Sequence, residues 1–310
     1  MKNKNSLVKA KFTNLYGALK HPMQAVAVGL LLGGVIIGLS GFNPFEAIIG
    51  MFKGGFGSAY YLTTTLTRSV PIIFAGLAGA LAWGSGYSSL GAAGQMVLGA
   101  LTSAIVAAVC PGPPVFVVMM ALISGALAGV LYSIISAYIS ENYKLDLLII
   151  TLMMNYVADY IASYFTMYVF KDPLAVDSTA VQTQKLTDNI LPKIFDQYSL
   201  HWGFVIALIA VVVILFIMKK TSFGYKAKMG GLNPNFANYG GVNSRKMMYY
   251  VLMLSGALAG LGGACEVLGS RYRYVDAMIT SPGYAWTGII ASLMSSNHPV
   301  GILVSAVFLA

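Results

Sequence analysis

Charged residues are the first thing that this sequence has in short supply. Only 9% of its 310 residues are charged, and ten acidic residues stand against nineteen lysines and arginines. Hydrophobic residues make up 57% of the chain, and the mean hydropathy is +0.75. No soluble fold needs such a composition, so an ordinary soluble domain is excluded. The composition predicts an all-α, polytopic integral membrane protein.

Cysteine, histidine and the common catalytic motifs are also scarce or missing. The two cysteines, Cys110 and Cys265, lie inside apolar runs without metal or disulfide spacing, so we expect packing roles and no metal site. The chain has neither an HExxH nor a GxSxG pattern, which argues against an intramembrane enzyme. It also has no Gly-x-x-x-x-Gly-Lys-Ser/Thr loop to cradle ATP. We therefore expect no cofactor on this chain.

The basic residues concentrate in two segments. Five lysines lie in residues 1–22, and residues 219–246 carry six lysines and arginines without one acid. This distribution is typical of cytoplasmic segments of a membrane protein rather than of a face that binds nucleic acid. The segment 171–200, with four aspartates and three lysines, is then predicted to be a loop on the external side of the membrane. We predict a multi-pass protein of the inner or plasma membrane with a cytoplasmic N-terminus.

Apolar runs long enough to cross about 30 Å of hydrocarbon define the spans. They lie at 23–41, 60–83, 88–109, 114–139, 147–170, 201–218 and 247–268, and an eighth begins near 285. The first run lacks a clear small-x-small cleavage site, so we expect an uncleaved span. Residues 23–310 then form a single transmembrane domain. The apolar run after the breaker Asn297-His298-Pro299 has no flanking charge, so we expect the natural chain to continue beyond Ala310.

Two predicted spans contain features that interrupt a helix. Arg68 and Pro71 lie in the outer half of the second span, where Pro71 predicts a break or kink. Arg68 is either a pathway residue or a residue whose charge reaches the interface. Residues 84–95, GSGYSSLGAAGQ, are too polar and glycine-rich for a continuous helix. They line a cavity, with Gln95 as a candidate ligand, or they form a flexible cytoplasmic turn.

The hexapeptide SGALAG occurs at 124–129 and again at 255–260, in spans that the topology runs in opposite directions. Each copy contains Gly-x-x-x-Gly, which lets helix backbones approach closely. The repetition fits an inverted repeat of the kind that transporters use, or small-residue packing alone.

One polar stripe crosses the apolar run 147–170. Thr151, Asn155, Asp159 and Ser163 recur every four residues, and four tyrosines follow at the same spacing one residue later. Steps of four drift only about 40° around a helix, so we expect both columns on one broad face. Asp159 against lipid would cost roughly 2.5–3.5 kcal/mol. The stripe therefore favours a protein interior or a watery cavity.

The basic segment 219–246 holds a miniature helix over residues 233–241. Asn233 is a good N-cap, Pro234 suits the first helical position, and Gly240 or Gly241 suits a left-handed C-terminal residue. Lysines and arginines alone would be enough to keep this segment in the cytoplasm, so a capped helix among them needs another explanation. We expect it to contact another protein.

Residues 223–243, FGYKAKMGGLNPNFANYGGVN, resemble the coupling loop of ABC-importer permeases of the branched-chain amino acid, ribose and nucleoside group. The pattern looks most like that of nucleoside (simple-sugar) permeases. Further similar motifs are SVPIIFAGLAGALAW at 69–83, ITLMMNY at 150–156, SGALAGLGGACEVLG at 255–269, and GYAWTGIIASL with NHPVG at 283–301.

The resemblance implies a membrane-spanning permease subunit of an ATP-driven importer for nucleosides or related sugars. It implies alternating access driven by a separate cytoplasmic ABC ATPase that binds ATP and magnesium. It also implies a second permease subunit and an extracytoplasmic substrate-binding protein, with membrane lipid around the spans. The chain itself would be a transport subunit rather than an enzyme.

Two groups of candidate residues follow from the stripe and the resemblance together. The candidate substrate pathway contains Gln95, Asn155, Tyr156, Asp159, Tyr160 and Trp286. The candidate ATPase-coupling residues are Phe223, Gly224, Tyr225, Asn233, Pro234, Phe236, Tyr239 and Gly240.

The chain departs from the family pattern at four polar positions. Ser89 and Ala93 occupy places where Asn and Glu are usual, Thr287 stands where Asp is common, and Ser296 stands where Arg is common. One hypothesis is a heterodimeric pair whose other permease retains the acidic groups. Two alternatives stay open: a secondary transporter with Asp159 as its ion or proton site, and an ABC permease for ribose or branched-chain amino acids.

Overall fold

The computed structural model describes residues 28–29, 31–173, 181–187 and 190–310. The basic segment 1–22 and the start of the first predicted span, 23–41, lie outside the described residues. Parts of the predicted external loop, 174–180 and 188–189, also lie outside them. The chain forms two compact units, Met1–Thr65 and Leu66–Ala310.

The first unit contains helical residues 31–39 and helix α1 (Pro44–Phe56). Asn43 caps α1, because its side chain accepts a hydrogen bond of 3.0 Å from the Phe45 N–H. The Thr65 hydroxyl donates to the Gly55 carbonyl over 3.0 Å, and this bond ties the end of α1 to the following helix.

Six helices in the described part of the chain are long and apolar enough to cross a membrane. They are α2 (Ala59–Gly84), α3 (Ala92–Val109), α4 (Pro114–Tyr143), α5 (Leu147–Tyr164), α6 (Gly203–Lys220) and α9 (Ser244–Glu266). Turns of π-helix, Phe165–Val169 and Val267–Arg271, extend α5 and α9. The shorter helices are α7 (Ser222–Leu232), α8 (Pro234–Tyr239), α10 (Tyr284–Met294) and α11 (Pro299–Leu309).

The predicted all-α membrane architecture is confirmed. The described residues form isolated β-bridges, such as Lys171 with Thr183 within the segment 171–200 and Gln182 with Val275, and no regular strand. The eighth predicted span is a pair of short helices, α10 and α11, separated at the predicted breaker before Pro299.

Two local predictions differ from the structure. Helix α2 runs through Pro71 without a break, so the break is wrong while a kink stays a prediction, and α3 begins at Ala92 rather than at residue 88. The reason for the first lies in packing, since 89% of the most apolar stretch of α2 is buried, more than in any other long described helix. Tertiary contacts on all sides can hold a proline-containing helix together despite the lost hydrogen bond.

The second unit is built around α2, α3 and α9, and its closest helix contact joins the two SGALAG segments. A Cβ added at Gly129 would overlap the Gly256 carbonyl, and one at Gly260 would overlap the Gly125 carbonyl. Because 129 faces 256 and 125 faces 260, α4 and α9 are antiparallel. Glycine is required here because any side chain would overlap the facing backbone. In lipid the hydrophobic effect does not hold two helices together, so close backbone packing must stabilise the pair.

Candidate functional site

The N-terminal part of the α5 polar stripe, Thr151 and Asn155, holds the non-helical segment 85–91 in place. Thr151 accepts a hydrogen bond of 3.0 Å from the Leu90 N–H. Asn155 donates to the Leu90 carbonyl over 2.9 Å and accepts from the Gly94 N–H over 2.9 Å. The amide of Asn155 is therefore bonded to backbone on both sides, at the place where the chain enters α3. It satisfies polar groups that a broken helix leaves exposed inside the protein.

The C-terminal part of the stripe, Asp159 and Ser163, forms hydrogen bonds to the segment 272–283. Asp159 accepts a hydrogen bond of 2.8 Å from the Thr280 hydroxyl, and Ser163 donates to Asp276 over 2.5 Å. These two bonds place a pair of carboxylates on one side of α5. The polar column thus joins α5 to elements that lie before and after it in the chain.

The tyrosine column of α5 differs from the polar column in exposure. Tyr156 and Tyr160 are 58% and 77% exposed, whereas Thr151 and Asn155 are buried. We expected both columns on one broad face; in this chain the polar column is packed against protein and the tyrosine column is exposed. Consecutive residues lie about 100° apart on a helix, so one column can face protein while the next faces outward.

The other candidate pathway residues lie at separate places. Gln95 is buried at the start of α3, beside Gly91, and its Oε1 has no hydrogen-bond partner among the described residues. Trp286 lies on α10 and is 43% exposed. Gln95 and the Asn155 side chain both lie at the start of α3, beside Gly91 and Gly94 respectively. Tyr156 and Tyr160, in contrast, lie on the exposed face of α5. Their roles in solute passage stay predictions.

The segment 85–91 also contacts the basic loop. The backbone of Gly86 lies against the backbone of Gly231 at the end of α7. A Cβ added at Gly86 would overlap the Gly231 backbone, and one added at Gly231 would overlap the Ser85 carbonyl. The Tyr87 hydroxyl donates to the Ser244 carbonyl over 3.3 Å. One short segment therefore contacts α7 and α9 at one side and α5 at the other.

The predicted miniature helix is present as α8. Asn233 caps it by accepting a hydrogen bond of 3.0 Å from the Phe236 N–H, Pro234 occupies the first turn, and Gly241 has a left-handed φ of 77°. All three features were expected from local residue types. The preceding helix α7 was not foreseen, because its glycines at 230 and 231 lower helix propensity.

The coupling candidates divide into exposed aromatics and residues that hold the loop. Tyr225, Phe236 and Tyr239 are 67%, 59% and 94% exposed. Gly224 is buried against Met218, where a Cβ would lie 2.5 Å from the Met218 carbonyl oxygen. Phe223 is half-buried and packs against the core, while Gly240 ends α8 with its N–H on the Phe236 carbonyl. A cavity of about 510 Å³ lies beside α8 and is lined by Asn235, Asn238 and Tyr239.

A second polar cluster, which the sequence did not single out as a site, lies where α9 ends and α10 begins. Glu266 is buried and forms an ion pair of 3.3 Å with Arg271, five residues later in the chain. The Tyr284 hydroxyl donates to the same carboxylate oxygen over 3.3 Å. Arg68 of α2 lines the same cavity as Arg271 and Tyr284.

His201 is buried at this end of the bundle, two residues before α6 begins. Its Nδ1 accepts a hydrogen bond of 3.1 Å from the Gly203 N–H, and its Nε2 lies 3.5 Å from the Ser270 hydroxyl. Burial disfavours the charged ring and lowers the pKa of His201 to about 4. The side chain is therefore a neutral structural residue at neutral pH.

Comparison with known proteins decides the family. Residues 61–310 match the family described as "Branched-chain amino acid transport system / permease component". The chain belongs to this permease family. It is thus a multi-pass transport subunit, and the resemblance stated from its motifs is confirmed. No solved structure is significantly similar to this permease.

Relatives with described transport roles align with nearly all of this permease. The guanosine ABC transporter permease NupP of Bacillus subtilis is 31% identical over 93% of this chain and 82% of its own length. The nucleoside ABC transporter permease NupB of Lactococcus lactis is 29% identical over 92% and 80%. The glucose ABC transporter permease TsgB13 of Haloferax volcanii is 30% identical over 93% and 78%.

Proposed function

We propose that this permease forms the transmembrane path of an ATP-driven nucleoside importer. Two of the relatives named above transport guanosine or nucleosides by their names, and both align with more than nine-tenths of the chain. Sugars are the second candidate substrate class, because one similar permease is named for glucose. A nucleoside also contains a sugar, ribose. Similarity to nucleoside permeases over more than nine-tenths of this chain is the observation that carries the proposal.

The energy for transport would come from an ABC ATPase bound at α7 and α8. The exposed aromatic rings of Tyr225, Phe236 and Tyr239 offer a partner large contact area at the end of a rigid, capped helix. The polar cavity beside α8 can accept a side chain from that partner. This end of the molecule would face the cytoplasm, in agreement with its lysines.

Movement of α8 can reach the pathway helix through the segment 85–91. Gly231 contacts Gly86 backbone to backbone, so this segment cannot stay in place if α7 shifts. Leu90, at the other end of the segment, is bonded to Thr151 and Asn155 of α5. Closure of the ATPases would therefore rotate or translate α5, and this is the kind of rigid-element shift on which alternating access depends.

The solute path would run along the exposed face of α5 and against a second permease subunit. Tyr156 and Tyr160 are exposed in the single chain, and a nucleobase can stack on such rings with about 1–3 kcal/mol per base. Asp159 lies beside them and can accept hydrogen bonds from ribose hydroxyls. The missing acidic side chains at Ala93 and Thr287 favour a different chain as the partner, which makes a heterodimer.

A reconstitution experiment tests this proposal. The permease pair and its ATPase are placed in liposomes with the binding protein, and uptake of labelled guanosine and adenosine is measured. We expect uptake only with enclosed ATP, and none when the ATPase carries a substituted catalytic lysine. Uptake that persists without ATP and depends on a sodium or proton gradient would instead establish a secondary transporter.

Two substitutions on α5 test the path itself. Asp159→Asn retains an oxygen that accepts from Thr280, so it removes charge with little change in packing. Tyr160→Ala removes an exposed ring. Both should reduce uptake while the complex still assembles. Unchanged uptake in both variants would assign the α5 stripe to helix packing alone.

A further inference from the structure

An open groove of about 520 Å³ lies between α4, α7 and α9. Its lining is apolar apart from one tyrosine hydroxyl and consists of Val130, Phe223, Tyr250, Met253, Leu254 and Ala257. The four residues from α9 lie at positions i, i+3, i+4 and i+7, so they share one face of that helix. Tyr250 is 52% exposed, and the groove therefore opens to the outside of the single chain.

The groove runs along α9 over about the depth of one lipid leaflet. Ala257 lies roughly 20 Å from the start of α9 at Ser244, at a rise of about 1.5 Å per residue. The hydrocarbon core is about 30 Å thick, so this deep end reaches the middle of the bilayer. It is closed there by the contact of α4 with α9, because Ala257 directly follows Gly256, which packs on the backbone of Gly129. The shallow end lies at α7 and the start of α9.

Two lysines flank the shallow end of the groove. Lys246 precedes Tyr250 by four residues on α9, and Lys226 follows Phe223 by three residues on α7. Each lysine therefore shares a helix face with a lining residue. Both are exposed, and within the described part of the chain neither has an ion pair. The first turn of α9 has no acidic residue, so the helix dipole adds to the positive charge at this end.

We propose that this groove binds an anionic phospholipid of the leaflet beside the basic segment 219–246. An acyl chain would lie against the apolar face of α9, with the phosphate within reach of Lys226 and Lys246. Apolar lining at one end and uncompensated cations at the other select an amphiphile with a negative head. A lipid headgroup stays at the water interface, where lysine side chains reach it without leaving water. A helix of another protein would instead cover both lysines and would need acidic residues opposite them.

Lipid titrations of the purified permease, with the subunits that co-purify with it, test this site in detergent. Dioleoyl phosphatidylglycerol and dioleoyl phosphatidylcholine have the same acyl chains and differ in net charge, and native mass spectrometry measures the binding of each. The wild type should bind the anionic lipid at least about tenfold more tightly. Lys226→Gln and Lys246→Gln should each weaken that binding about fivefold. Lys228→Gln removes the same charge about 140° around α7 from Phe223 and should bind as the wild type does.

A second pair of variants tests the apolar part of the groove. Ala257→Phe fills the groove and keeps every charge, so binding of phosphatidylglycerol should fall at least about tenfold. Val212→Phe, at a 64% exposed position of α6 outside the groove, adds the same ring and should leave the binding unchanged.

Four outcomes would overturn the lipid site. Equal affinity of the wild type for the two lipids, or unchanged affinity in both the Lys226 and Lys246 variants, removes the charge selection. Unchanged binding by Ala257→Phe removes the groove. Displacement of phosphatidylglycerol by inorganic phosphate would identify a site for a free anion instead. Loss of a co-purifying subunit from the Ala257→Phe protein, without a change in lipid binding, would identify a protein interface.

Discussion

Asn155 and Leu90 are joined by a hydrogen bond of 2.9 Å from the side-chain amide to the backbone carbonyl, across 65 positions of the chain. The same side chain accepts from the Gly94 N–H. One residue of the pathway helix thus fixes both the end of the segment 85–91 and the start of α3. Because α7 contacts the other end of this segment, Asn155 is where movement of the basic loop would reach α5.

Replacing Asn155 tests this attachment. Asn155→Ala leaves the Leu90 carbonyl and the Gly94 N–H without their partner, and each unpaired buried group costs about 1–3 kcal/mol. We expect a loss of stability of at least about 2 kcal/mol and fewer nucleosides imported per ATP hydrolysed. Denaturant unfolding in detergent and paired uptake and ATPase assays measure the two effects. Met153→Ala, at an exposed position of the same helix, should change neither, and equal behaviour of the two variants would contradict the assignment.

The contact between the two SGALAG segments gives a second prediction. Gly129→Ala places a methyl group into the Gly256 carbonyl, so α4 and α9 must separate. Such overpacking typically costs about 1–3 kcal/mol, and we expect a lower unfolding temperature in detergent. Gly54→Ala in α1 has nothing within 4 Å and should be neutral or slightly stabilising. A Gly129→Ala protein as stable as Gly54→Ala would refute close helix packing at this place.

The pH dependence of stability should carry the signature of His201. Its folded pKa of about 4 lies below the ordinary value of 6.5, so the unfolded chain binds more protons between these values. Stability from the neutral ring is complete above pH 6.5 and is lost as the pH falls toward 4, by about 3 kcal/mol. Thermal unfolding from pH 7.5 to 4.5 measures this loss. His201→Gln should show a flatter profile, and an equally steep one would assign the acid sensitivity to other groups.

The exposed aromatic residues of α8 should matter for assembly rather than for folding. Tyr239→Ala removes a ring that is 94% exposed, so the unfolding temperature should stay within about 1 °C of the wild type. The amount of ATPase that co-purifies should fall at least severalfold, because exposed aromatics dominate many interfaces. Phe195→Ala, at a 53% exposed position before α6, is the control and should retain the ATPase. Retention of the ATPase by Tyr239→Ala would place the docking surface elsewhere.

The features that sequence reasoning identified are those set by local chemistry. The cap of α8 depends on Asn233, Pro234 and Gly241 within nine residues, and each residue type has a strong positional preference. The spans follow from apolar length alone. The antiparallel contact of α4 and α9 was foreseen in kind, because Gly-x-x-x-Gly signals close approach. Which two helices would meet was not stated by the pattern.

What the sequence left open depends on partners far along the chain. The spacing of Asn155 and Asp159 indicated a polar face, but it could not show that Leu90 and Thr280 would bond to them. The cavity at Arg68 is lined by residues of α2, α10, α11 and the π-helical end of α9, and one arginine in an apolar run has two equally ordinary explanations. Pro71 shows the same limit, since burial of α2 overrides a local preference to break.

ATP hydrolysis in a partner chain is expected to drive nucleosides through this permease. The most direct test is the ATPase rate of the reconstituted complex, with its binding protein, across a panel of nucleosides, pentoses and branched-chain amino acids. We predict that nucleosides stimulate hydrolysis. Stimulation by branched-chain amino acids alone, with no response to any nucleoside, would contradict the account.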